Sequence, residues 1–157
     1  EWTDFFVAAA GASAALAGLV FVAVSINVER ILQFRGLPER ALATVLLLLS
    51  VVLLALICLI PGQSREALAV ELFVVSLVFA GTIFRLTSPA RAEHDRSLAH
   101  VASHWLLVAL GTIPFIVGAV SLFVESGGGL YWVAAGVVLA TAGAVANAWV
   151  LLVEILR

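Results

Sequence analysis

Long apolar runs broken by short polar connections set the pattern of this chain. The first run, Phe5–Asn27, carries no charge over 23 residues. At ~1.5 Å per residue a helix of that length covers about 33 Å, roughly the hydrocarbon thickness of a bilayer. Its small residues recur on one face, at Gly11, Ala15, Gly18, Val22 and Ser25, with Ala8 and Ala14 beside them. Phe5, Phe6, Leu16, Val20 and Val24 fall on the opposite face. A small face lets a second helix approach closely, and a bulky face suits lipid. The pattern therefore predicts that this first helix is the packing hub of a membrane bundle.

Four further runs follow. The second, Ala41–Ile60, is built almost wholly from Leu, Val, Ile and Ala, with Ser50 and Cys58 among its exceptions, and is closed by Pro61-Gly62. A helix apolar all round has no polar partner to face, which predicts a peripheral place for it. The third, Ala67–Thr87, carries Glu71, Val78, Thr82 and Arg85 on one face. The fourth, Leu98–Val124, contains His100, His104, Gly111, Pro114 and Gly118, and Pro114 should kink it. The fifth, Leu130–Leu156, aligns Gly136, Ala140, Gly143, Asn147 and Glu154. The expected fold is all-α: one transmembrane domain over residues 1–157, a bundle of five spans at about 5–27, 41–60, 67–87, 98–124 and 130–156. Between the first two spans, Glu29–Arg40 holds Ile31, Leu32 and Phe34, enough for a short interfacial helix, and Gly36-Leu37-Pro38 marks a turn. Glu125–Gly129 reads as a flexible hairpin turn.

Composition agrees with this class. Of 157 residues 64% are hydrophobic and only 11% charged, and the mean hydropathy is +1.20. A soluble domain of this size could not cover so much apolar surface. The net charge of −2 gives nucleic acid no footing. A single cysteine allows no intrachain disulfide. The chain begins at Glu1 without Met, so N-terminal residues are expected to be missing or removed. Phe5–Asn27 does not fit a signal peptide, because no basic segment precedes it and its apolar run is too long.

The arginines orient the bundle. Arg30, Arg35, Arg40, Arg85, Arg91, Arg96 and Arg157 fall on one side, and Arg65 alone on the other. Basic loops stay in the cytoplasm, which predicts an outside N-terminus, a cytoplasmic C-terminus and a bacterial cytoplasmic membrane. Trp2, Tyr131 and Trp132 mark the outer boundary, Trp105 and Trp149 the inner one.

With that orientation His100, His104, Asn147 and Glu154, together with Ser25 and Asn27, approach the same cytoplasmic depth and are expected to converge in one pocket. Ionisable groups inside a membrane are functional candidates. Two His at i and i+4 suit a metal, but no HExxH accompanies them, and interhelical hydrogen bonding accounts for them more simply. Glu71 could pair with Arg65 or line an outer vestibule, and Glu71, Thr82 and Arg85 are candidates for a path. No Walker A loop, no GxSxG, no paired carboxylates and no selectivity-filter loop are present. The reading assigns no catalytic residue and no cofactor. Helix packing is expected at Gly11, Ala15, Gly18, Gly111, Gly118, Gly136, Ala140 and Gly143.

DFFVAAAGASAALAGLVFVAVSIN, followed by an Arg-containing loop and LLLL…LIPGQS, resembles a family of small bacterial membrane proteins, some of them labelled modulators of the FtsH membrane protease. The resemblance covers about the first 65 residues. It implies an accessory role and no catalytic or binding residues. The expected function is a non-enzymatic membrane protein acting by helix packing, with itself or a larger membrane complex. The alternatives are a homo-oligomeric channel or small transporter, and a metal- or haem-binding redox subunit resting on His100 and His104.

Overall fold

The computed structural model describes residues 2–34, 36–87 and 98–156; within these, the side chains at 87, 98–108, 110 and 154–156 lie outside the description. The described residues form six helices and no strand: α1 Trp2–Ile26, α2 Val28–Gln33, α3 Leu37–Cys58, α4 Arg65–Thr87, α5 Leu98–Phe123 and α6 Gly129–Leu156. Four of them, α1, α3, α4 and α6, are long and apolar enough to cross a membrane. Helix α5 is 26 residues long, and the apolar part of it that is described is Gly111–Phe123. The short α2 is the helix that Ile31 and Leu32 foretold in the connection between the first two spans.

Helix α3 occupies the centre. Leu48, Val51, Leu54 and Ala55 are almost wholly buried, and α1, α2, α4 and α6 all pack on it. This corrects the expectation of a peripheral second span. Uniform apolarity fits burial among other helices as well as it fits lipid. The buried small residues Ala41, Ala43 and Ala55 let the neighbours come close. Helix α5 completes the bundle against α4 and α6.

Helix α1 is turned the other way round from the expected orientation. Its bulky line faces inward: Phe6 is buried at 1% exposure, and Trp2, Phe5, Leu16 and Val20 pack on the core. Its small line faces outward: Ala8, Gly11, Ala12, Ala14, Ala15 and Gly18 are all exposed. A Cβ added at Gly11 or Gly18 would meet nothing within 4 Å. Gly11, Ala15 and Gly18 therefore make no close helix contact within the chain. In a membrane both faces are equally apolar, so shape and polar pairing decide which turns inward. Two contacts tie α1 to α6 here. Trp2 stacks edge-on against Tyr131 with ring centroids 4.8 Å apart, and Ser13, 1% exposed, lies with its hydroxyl 3.5 Å from that of Thr141.

The close approaches are between α5, α6 and α3. A Cβ on Gly118 would lie 2.8 Å from Val133 Cγ2 and 3.1 Å from the Gly129 carbonyl, and one on Gly136 2.9 Å from the Phe115 ring. Gly111 is turned to Leu47 of α3, and Ala140 is fully buried. Gly143 is half-buried. The turn between α5 and α6 is closed rather than loose. Gly127 and Gly128 take positive φ, Ser121 Oγ donates to the Ser126 carbonyl, and Trp132 Nε1 donates to the Gly127 carbonyl at 3.1 Å.

The two sets of glycines should behave differently. Gly118→Leu forces side chain against the Gly129–Val133 backbone and Gly136→Leu against the Phe115 ring, and each should cost about 1–3 kcal/mol or prevent folding. Gly11→Leu and Gly18→Leu should leave the melting temperature in detergent within a degree or two. Equal destabilisation by all four, read by thermal unfolding of the purified variants, would contradict the assignment of α1's faces.

Candidate functional site

One end of the bundle carries the C-terminal ends of α1, α4 and α6, the N-terminal end of α3, and α2. Here α3 and α6 are joined by a closed polar ring. Arg40 stands in the first turn of α3, where its guanidinium reaches α6. Arg40 Nε donates to Asn147 Oδ1 at 2.7 Å, Asn147 Nδ2 donates to Thr44 Oγ1, and Thr44 Oγ1 donates to the Arg40 carbonyl at 2.9 Å. The amide orientation follows from the chemistry: arginine only donates, so the oxygen of Asn147 must face it. Thr44 and Asn147 are buried at 1% and 4% exposure, and Arg40 is half-buried. A buried amide needs partners, because an unpaired polar group away from water costs about 1–3 kcal/mol. The ring supplies them, with the one charge placed where its head can reach the membrane boundary.

Asn147 is thus in a polar cluster at the end of the bundle where Ser25 and Asn27 also lie, but in different company. Ser25 Oγ donates to the Phe21 carbonyl at 2.8 Å and Asn27 Nδ2 to the Ala23 carbonyl at 2.9 Å, so both serve their own helix end. Neither joins Asn147. His100, His104 and Glu154 fall within α5 and α6, and their side chains lie outside the described residues. Arg40 and Thr44 carry the ring; from the sequence Arg40 served only as an orienting charge, and Thr44 was not singled out. The signal was available: a threonine four residues after an arginine, opening an otherwise apolar helix, is the spacing of one turn.

Helix α4 turns its polar face outward. Glu71, Val78, Thr82 and Arg85 are all exposed. Thr82 Oγ1 donates to the Val78 carbonyl at 2.8 Å, which satisfies the hydroxyl within the helix. Glu71 pairs with Gln63 rather than Arg65: Gln63 Nε2 donates to Glu71 Oε2 at 2.6 Å. Arg65 instead faces Glu125 at 3.9 Å, an exposed ion pair that links the two turns at the opposite end of the bundle from the ring and adds little stability. Ser76 is buried at 2% exposure, and its hydroxyl has no hydrogen-bond partner among the described residues.

The outer surface is bulky and apolar: Leu19, Phe21, Ile26, Leu32 and Val78 are each more than 60% exposed. Apolar side chains at that exposure around a bundle of long apolar helices define a multi-pass helical membrane protein. Compared with protein families, curated proteins and solved structures, the chain finds no match.

The ring should be a stability element that one substitution opens. Asn147→Leu leaves Arg40 Nε without its acceptor and removes two interhelical bonds of ~0.6 kcal/mol each, a loss of about 1–2 kcal/mol in all. Asn147→Asp keeps an acceptor for Arg40 and should lose less. Unfolding of both variants in mild detergent measures the difference, and an Asn147→Leu variant as stable as the wild type would remove the ring from the account.

Proposed function

We propose that the chain is a non-enzymatic accessory or scaffold protein of the bacterial cytoplasmic membrane that docks another membrane helix along the outward small face of α1. The observation that carries this reading is the orientation of α1. Six small residues between Ala8 and Gly18 face away from the bundle, so a neighbouring helix could approach the α1 backbone there. Lipid fills such a flat strip less well than a second helix does, because close backbone approach adds dispersion contacts along its whole length. The reading takes α5 as a fifth span, with the N-terminus outside and the arginine-rich end in the cytoplasm. Arg30, Arg40 and Arg85 belong to one end of the bundle and Arg65 to the other, the asymmetry that basic cytoplasmic loops produce. The resemblance of the first 65 residues to proteins labelled modulators of the FtsH protease fits an accessory role.

A second reading, a homo-oligomeric channel or transporter, is favoured by one feature. Glu71, Thr82 and Arg85 share the outward face of α4, so a path lined by them would form only between copies. Ion flux into liposomes containing the purified protein separates the two readings.

The test of docking uses substitutions that spare the fold. Ala15→Leu and Gly18→Leu should retain the wild-type melting temperature while losing the larger species that the wild type forms in mild detergent, read by light scattering on the eluting peak. A wild type that elutes as a single chain without companion, or variants that keep the larger species, would contradict docking through α1. Topology is tested separately. On a Cys58→Ala background, Ser64→Cys should react with an impermeant thiol reagent in intact cells, and Gln33→Cys should react only after lysis. The reverse pattern would invert the proposed orientation.

A further inference from the structure

Between the C-terminal ends of α1 and α6 a pocket of ≈160 Å³ opens to the side of the bundle. Val20, Ala23 and Val24 of α1 form one wall, Ala148 and Leu151 of α6 the other, and Ile31 of α2, 2% exposed, lies among them. Every side chain that lines it is apolar. A pocket so lined offers water no hydrogen-bond partner, and apolar cavities of about this size take up hydrocarbon. In a bilayer the hydrocarbon on offer is a lipid acyl chain.

Depth and charge narrow the occupant. Trp132 and Trp149 of α6 are both exposed and stand 17 residues apart, ~26 Å along the helix, close to the spacing of the two membrane interfaces. Trp149 therefore sets the boundary between headgroups and acyl chains, and Ala148 and Leu151 flank it. Counting from Trp2 along α1, ~30 Å of helix ends near Val22, among the pocket residues of that helix. The two helices place the pocket independently at one depth, just inside the interface. Helix α2 follows immediately, at headgroup level. Its Arg30 is exposed and, among the described residues, has no ion pair. Glu29, the other charge on α2, is its direct neighbour in sequence, and residues i and i+1 do not share a helix face. A guanidinium at headgroup level is matched to phosphate.

We propose that this pocket is a specific lipid site: it holds the upper part of one acyl chain of an anionic glycerophospholipid from the leaflet on the α2 side, and Arg30 binds the lipid phosphate. The site rests on the membrane class of the protein and is independent of docking through α1.

Native mass spectrometry of the full chain released from detergent tests it, with phosphatidylglycerol and phosphatidylcholine of identical acyl chains as probes. The wild type should retain one phosphatidylglycerol about fivefold more than phosphatidylcholine, the preference that one arginine contributes beside an anionic headgroup. Arg30→Gln should bring phosphatidylglycerol down to the phosphatidylcholine level, and Ala148→Trp, which fills the pocket, should lose both lipids. Because Ala148→Trp could disturb packing, Leu152→Trp at a more exposed lining position provides the second blocking variant, with the melting temperature of each as control. Gly18→Leu should keep its lipid, which separates this site from the docking face. Equal retention of the two lipids by the wild type, an unchanged preference in Arg30→Gln, or a full lipid complement in the folded blocking variants would each overturn the proposal.

Discussion

The bundle depends on the burial of one helix, α3, among α1, α2, α4 and α6. In water such an arrangement would be driven by removing apolar surface from solvent. In a membrane that drive is absent, and shape and polar bonds must hold α3 in place. Shape comes from its alanines and from Leu47 against Gly111 of α5. The polar bond is the ring of Arg40, Thr44 and Asn147 at one end, where a buried amide would otherwise be left without partners. With α3 fixed, the places of the others follow: α6 is tied to it through Asn147, α5 fits α6 through Gly118 and Gly136, and α1 lies along α3 with its aromatic end against Tyr131.

Much of this was legible in the sequence, and the limits have a physical origin. The helices and their connections follow from apolar run length and from Pro and Gly at the turns, and the short α2 from Ile31, Leu32 and Phe34. The glycines of α5 and α6 were recognisable as contact positions because each helix presents them at regular spacing. The faces of α1 were not. A helix with a bulky and a small side offers no hydrophobic reason to prefer either inward, and the deciding contacts, Ser13 with Thr141 and Trp2 with Tyr131, join residues more than a hundred positions apart. The polar site was half legible. Asn147 stands out as a polar residue on a glycine-lined face. Its partners Arg40 and Thr44 do not, because an arginine at a helix start reads as a loop charge until the fold brings α6 beside it.

The outward faces of α1 and α4 therefore carry the functional argument. Small residues on α1 make no close contact within the chain, the polar face of α4 is turned outward, and the ring at the base of α3 ties that helix to α6. The apolar pocket lies beside this base, between α1 and α6, where a bound acyl chain would also brace the end of α1.

All of this rests on which way α1 faces, and a paired-cysteine experiment reads that directly. On a Cys58→Ala background, Ser13→Cys with Thr141→Cys brings two thiols within disulfide reach, since the native hydroxyls are 3.5 Å apart. Mild oxidation in native membranes, followed by mass analysis of the denatured chain, should show the internal cross-link in nearly all molecules. Gly11→Cys with Thr141→Cys should form none. A cross-link from position 11 and none from position 13 would mean that the small face of α1 packs inward and that the account of this protein is wrong at its base.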